Sequence, residues 1–166
     1  MSPEAGFKLT YSTMFNPPEE LHTRFDEALS KVRTNLGKEY GMLINGKEHY
    51  CADKFEDRSP ADTDVVLGIF QKGGVADAQL AMSAARKAFP IWSRMKWQER
   101  VRIVRKAAEI MDRRIFEMGV VVALEVGKNR MEALGDVAET ADLMRYACDQ
   151  MEAHNGYVTE MGRDPL

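Results

Sequence analysis

Apolar residues recur along this chain at two periods, and each period marks a different kind of element. Leu21, Phe25, Leu29, Val32 and Leu36 follow one another at spacings of four, four, three and four, which is one stripe of an amphipathic helix. Asn16 is placed to cap that helix, Pro17 suits its first turn, and Glu19 and Glu20 complement its positive end. Gly37 is placed to close it in a left-handed conformation. The next segment, Met42-Leu43-Ile44, is separated from Lys47–Tyr50 by Asn45-Gly46. Both positions of a tight hairpin turn need positive φ, and Asn-Gly supplies it, so a β-hairpin is predicted. A polar stretch holding Asp57, Pro60 and Asp62 leads to Val65–Phe70, a strand without clean alternation and so expected to be buried on both faces. Lys72-Gly73-Gly74 turns the chain.

From Val75 onward the period is helical. Ala78, Met82, Ala85, Phe89 and Trp92 make one stripe, with Pro90 expected to end or kink the helix. Val101, Val104, Ala108 and Met111 make a second. Phe116–Val126 is apolar nearly all round, so it is expected to be buried. Gly127 closes that segment, and Asn129 with Glu132 has the form of a capping box opening a last helix that runs to about His154. Leu134, Ala138, Ala141 and Met144 lie along its buried side. Tyr157–Met161 reads as a β-like segment with no visible pairing partner. The fold class predicted is therefore α+β and mostly helical: a leading helix, a hairpin and a strand, then four helical segments.

Composition adds bounds rather than a function. With 166 residues the chain is long enough for one domain, since domains run at roughly 100–200 residues. A net charge of −3 gives no electrostatic reason to expect nucleic acid or an anionic membrane as partner, and no apolar run approaches the ~20 residues that span a bilayer. The start of the chain has no signal-peptide core, and two cysteines form no disulfide framework. Both point to a cytoplasmic protein, or one of the mitochondrial matrix if eukaryotic. The basic residues between Lys96 and Arg114 are interleaved with Glu99, Glu109 and Asp112, so a solvated helix face is the better reading than a nucleic-acid surface.

Self-contained catalytic chemistry is hard to find. His22, His49 and His154 are scattered, and His49 with Cys51 lacks the further ligands that a zinc site needs, so no metal is expected. Gly73-Gly74 lacks the third glycine of a dinucleotide loop. Lys128 is read as a cation at the negative end of a helix. Projected at about 100° per residue, Glu139 falls opposite Leu134, Ala138 and Ala141, on a side that it shares with Leu143 and Tyr146. A carboxylate between apolar neighbours is either a wet surface residue or part of a pocket wall, and spacing alone favours the surface.

Taken in order, Met42–Lys47, Val65–Gly68, Ala84–Trp92, Arg100, Lys106-Ala107-Ala108, Glu125–Asn129 and Glu132-Ala133 resemble the opening of the aldehyde dehydrogenase superfamily over essentially the whole chain. The leading helix, and the run from Glu125 to Glu139, resemble the 1-pyrroline-5-carboxylate dehydrogenase branch. Its members oxidise glutamate γ-semialdehyde to glutamate in proline breakdown, with NAD as cofactor. The resemblance implies that Glu139 contributes to the pocket for the amino-acid end of the substrate, with Leu143 and Tyr146 flanking it. It also implies that the nucleophilic cysteine, the general-base glutamate and the nucleotide cradle lie beyond this chain. Neither Cys51 nor Cys148 stands in the nucleophile's sequence context.

The chain is thus expected to be an amino-terminal segment, inactive and without bound NAD on its own. Residues 1–15 form an arm, 16–153 the first part of the NAD-binding domain, and 154–166 the start of the hairpin that joins subunits. The expected partner is the remaining carboxy-terminal portion, within a homo-oligomer. The alternative is a non-catalytic helical assembly module that pairs with a separate carboxy-terminal polypeptide.

Overall fold

In the computed structural model, which describes residues 16–159 and Gly162, the first helix (α1, Glu19–Arg33) begins after a second proline rather than at Asn16. A residue that precedes proline is pushed out of helical conformation, so Pro17, which Pro18 follows, is kept out of the helix. Pro18, with ψ 153°, takes the capping position, and its carbonyl accepts from the Leu21 N–H. The helix also stops early, at Thr34, and Leu36 lies in the turn that follows, before Gly37 at φ +70°.

Five strands come next: β1 (Glu39–Tyr40), β2 (Met42–Ile44), β3 (Lys47–His49), β4 (Lys54–Arg58) and β5 (Val66–Gln71). β2 and β3 form the expected hairpin, with Asn45 at φ 52° and Gly46 at φ 72°. β5 is the middle of a second sheet, parallel to β1 on one side and antiparallel to β4 on the other. Sequence pattern missed β4, whose residues are mostly exposed and charged. It is also more generous about β5, whose residues are mostly half-buried rather than enclosed. Phe70 stacks on Tyr40 at 5.4 Å and lies 5.9 Å from Phe55, so aromatic rings cover part of one sheet face. The buried Gln71 side chain holds the edge together. It accepts from the Cys51 N–H and donates to both the Glu39 carboxylate and the Tyr40 carbonyl.

Four helices complete the described chain: α2 (Val75–Arg94), α3 (Trp97–Arg113), α4 (Ile115–Val126) and α5 (Arg130–Ala153). The core lies where α1, α4 and α5 meet. Leu21, Phe25 and Ala28 pack there with Ile115, Phe116, Val120, Leu134 and Val137. α4 buries one side only, since Val121 and Val126 are exposed. Its amino-terminal half is nevertheless as buried as its composition predicts. Gly127 ends it in a left-handed conformation at φ 74°. Ser59, itself buried, donates to the Leu124 carbonyl at 2.8 Å and so fastens the β4–β5 loop to this helix end.

α3 buries Val101 and Ala108, as its stripe predicts, and lies along α5. Two arginines clamp the pair in opposite senses. Arg105 of α3 reaches Asp149 and Glu152 of α5, at 2.7 and 2.6 Å, while Arg145 of α5 reaches Asp112 of α3.

α2 departs furthest from expectation. It runs one turn past Pro90, where either an end or a kink was expected, and none of its residues is buried. The two facts are related. Proline leaves the Arg86 carbonyl without its intrahelical donor, and on an exposed helix water can take that place.

The β-like reading of Tyr157–Met161 is also corrected. Asn155, Gly156 and Tyr157 form a short 3-10 turn with φ of 47°, 73° and 56°, while Glu160 and Met161 lie outside the described residues. Gly156 sits against Trp97, so closely that a Cβ there would fall 2.3 Å from the indole Cδ1. The predicted arm, residues 1–15, also lies outside the described residues.

Candidate functional site

The start of α5 is written in its sequence. The Asn129 side chain accepts from the Glu132 N–H at 3.0 Å, which satisfies one of the free donors of the first turn. From there the helix buries Ala133, Leu134, Val137, Ala141 and Cys148. The opposite side therefore faces outward, and Glu139, Leu143 and Tyr146 all lie on it. Leu143 is 60% and Tyr146 62% exposed. One turn and two turns of helix separate the two apolar residues from the carboxylate, so the three form a continuous outward strip.

Near this strip lies a pair that sequence reasoning missed. Lys128, instead of serving mainly the carboxyl end of α4, crosses the loop and donates to Asp136 at 2.5 Å. That hydrogen bond, helped by the negative charge of Asp136, Glu132 and Glu139, holds the lysine above its usual pKa. Glu132, Asp136 and Glu139 stand at helical spacing of four and three, which is the signal that could have revealed an acidic side to α5. Lys128 is engaged with Asp136, and the Glu139 carboxylate makes no hydrogen bond or ion pair among the described residues. Its charge acts at a distance on Lys128.

Other candidate groups are engaged in structure. Cys148 is buried between α5 and α3, with Sγ 3.8 Å from the Val101 carbonyl, where an aldehyde cannot reach it. Cys51 Sγ contacts the Asp53 carbonyl. The histidines are on α1, at the end of β3 and after α5, and His154 stacks on Tyr157. Among the described residues no three His, Cys, Asp or Glu side chains gather as a metal site would require. Of the basic residues around α3, Arg105 and Arg114 are tied to carboxylates, Arg114 through two hydrogen bonds to Glu117 that raise its pKa further. A cleft of about 480 Å³ lies between α1 and the α3–α4 corner, lined by Arg24, Lys31, Arg113, Arg114, Glu27 and Glu117 among others. Glu139 is not part of it.

The strand–Gly-Gly–helix corner from β5 to α2 is the place where a dinucleotide would be sought, and its residues do not fit one. The Asp77 carboxylate already accepts from the Gly74 N–H at 2.9 Å, placing a negative charge where a pyrophosphate would sit. The room beside Gly73 is filled by Met42, whose Sδ is 2.8 Å from a Cβ built there.

Residues 48–165 match the model of the aldehyde dehydrogenase family. The chain is 35% identical over 133 residues to the 1-pyrroline-5-carboxylate dehydrogenase of Bacillus pumilus, an alignment covering 80% of this chain and 26% of that relative. It is 38% identical over 127 residues to 1-pyrroline-5-carboxylate dehydrogenase 1 of Halalkalibacterium halodurans, covering 76% and 25%. The crystal structure of a Thermus 1-pyrroline-5-carboxylate dehydrogenase with bound NAD superposes with a TM-score of 0.85 at 30% identity, over 99% of this chain and 31% of that one. The chain thus spans about a quarter of the length of the curated relatives it matches.

Proposed function

This chain belongs to the aldehyde dehydrogenase family, and we propose that it forms the amino-terminal part of an enzyme that oxidises glutamate γ-semialdehyde, the open form of 1-pyrroline-5-carboxylate, to glutamate. The observation that carries the proposal is Glu139. A carboxylate with no hydrogen bond or ion pair among the described residues sits on the outward side of a rigid helix, followed at one and two turns by Leu143 and Tyr146. Glutamate γ-semialdehyde carries an ammonium group at the end remote from its aldehyde. Glu139 accepts a charge-assisted hydrogen bond from that ammonium, while Leu143 and Tyr146 cover the aliphatic part of the substrate and keep water off it. The relatives' names supply the substrate class, and the NAD in the Thermus structure supplies the expected hydride acceptor. The chemistry itself, a thiol attacking the aldehyde and water releasing the acid, falls to residues outside this chain. So does the cofactor, which the β5–α2 corner does not fit.

The test is made in the native enzyme that contains this chain. Loss of one charge-assisted hydrogen bond is worth about 1.5–3 kcal/mol, so Glu139→Gln is expected to lower kcat/KM for pyrroline-5-carboxylate by roughly 10–100-fold. Most of the loss should appear in KM, with an aldehyde of the same length lacking the amino group oxidised as before. Equal losses on both aldehydes would show that Glu139 supports the helix rather than the substrate.

A further inference from the structure

We propose that Lys128 and Arg145 determine specificity by holding the two aspartates that flank Glu139, so that a substrate ammonium finds a single free carboxylate on this side of α5. The inference rests on Glu139 as the ammonium acceptor and adds the residues that make its position exclusive.

Asp136 stands three residues before Glu139 and Asp142 three residues after it, at the spacing that makes residues of a helix neighbours. Each is about 4.5 Å from Glu139 along the axis, at roughly 1.5 Å of rise per residue. Both aspartates are engaged. Lys128, in the loop before the helix, donates to Asp136 at 2.5 Å, and Arg145, one turn further on, donates to Asp142 at 3.1 Å. Glu139, between them, makes no hydrogen bond or ion pair among the described residues. Three acidic side chains in a row thus present one open acceptor. Glu132 lies seven residues back, about 10 Å along the axis, too far to share one ammonium with Glu139.

An aldehyde reacts only where its nucleophile is placed, so the span from ammonium to aldehyde decides which carboxylate can usefully hold the amino end. An ammonium seated on Asp136 would carry the aldehyde of the same molecule about 4.5 Å out of place. Such a complex forms but does not react. Lys128 prevents it by filling Asp136 with an ammonium of its own. Arg145 does the same for Asp142, but it also clamps Asp112 of α3. The cleaner test therefore falls on Lys128.

Steady-state kinetics of the native enzyme that contains this chain, on glutamate γ-semialdehyde, test the proposal. Lys128→Met frees Asp136, and with two acceptors of equal strength about half of the bound substrate is misplaced. Misplaced substrate slows the enzyme at saturation but not at low concentration. Both kcat and KM should therefore fall about twofold, while kcat/KM is not reduced. Adding Asp136→Asn to Lys128→Met removes the false acceptor and should restore both constants, as should Lys128→Arg, which keeps a cation in place. An aldehyde of the same length without the amino group should show unchanged constants throughout. Lys128→Gln gives the same readings should the methionine variant not fold. Unchanged kcat and KM in Lys128→Met would overturn the proposal. So would a loss of kcat/KM shared by both aldehydes, which marks a purely structural pair. Failure of the Glu139 reading is distinct: Glu139→Gln then leaves the preference for the amino aldehyde intact, and the proposal falls with it. If the proposal alone fails, Glu139→Gln is impaired while Lys128→Met behaves as the unmodified enzyme.

Discussion

Gly119 lies inside α4 directly beneath Leu134 of α5, and the contact is close enough to yield a quantitative prediction. A methyl group built on Gly119 falls 2.7 Å from Cδ2 and 3.3 Å from Cγ of Leu134. Leu134 is fully buried, so it has no open space into which to swing. Two effects oppose each other in Gly119→Ala. Alanine is favoured over glycine in a helix interior by about 1 kcal/mol, whereas overfilling a packed site costs about 1–3 kcal/mol. The expected net loss is about 1 kcal/mol, from the difference of those two ranges. Leu134→Ala alone should cost about 2–5 kcal/mol, as removal of a buried leucine does.

In the double variant the new methyl enters space that the leucine has vacated. The clash disappears and only the helical preference and partial filling of the cavity remain. Its loss should then be smaller than the sum of the two single losses by about 2 kcal/mol, within the range for residues in contact. Urea unfolding of the four proteins at neutral pH, followed by circular dichroism, measures this directly. Additive losses, to within about 0.5 kcal/mol, would refute the packing described for α4 and α5.

Two further outcomes follow from smaller features. Asn129→Ala removes the side-chain acceptor for the Glu132 N–H and should destabilise the protein by about 1 kcal/mol, with Asn129→Asp preserving stability; equal unfolding midpoints for all three would exclude the cap. Lys54 and Gln71 hold Glu39 below the usual 4.5, and Arg114 does the same for Glu117. Because the folded values are depressed, their contribution is present above about pH 4.5 and is lost as pH falls through the folded values. The drop in urea midpoint between pH 6 and pH 3 should therefore be smaller for Glu39→Gln with Glu117→Gln than for the unmodified chain, and an equal or larger drop would contradict the two pairings.

What the sequence made legible was whatever a few adjacent residues decide among themselves. Asn45-Gly46 had to turn, Asn129 had to cap and Gly127 had to close, because each is a matter of local backbone geometry and one hydrogen bond. The stripes of α1 and α3 announced buried sides for the same reason. What it hid depended on partners distant along the chain. β4 has almost no apolar pattern and exists because β5 lies beside it, and Lys128 finds Asp136 across a loop that no helical period describes. The start of α1 was misplaced by a single residue type, since a second proline shifts the cap. α2 shows the converse. Its stripe correctly marks an apolar side, but periodicity does not say what covers it. For Glu139 the spacing indicated an outward residue, and the structure agrees. Its proposed work on a substrate came through the resemblance, because no spacing names a ligand.

The opposed arginines between α3 and α5 have a consequence for how the chain finds its shape. Each is an exposed pair worth little by itself. Yet Arg105 with Glu152, and Arg145 with Asp112, satisfy the same antiparallel alignment about two turns apart. Sliding one helix by a single turn would undo both of these unions together, leaving Arg105 with only Asp149 within reach and Arg145 with only Asp142 of its own helix. The buried Val101 and Ala108 of α3 and Ala141 and Cys148 of α5 would lose their fit in the same slide, so the arginines act as a vernier that adds a small increment to a register the packed side chains already favour.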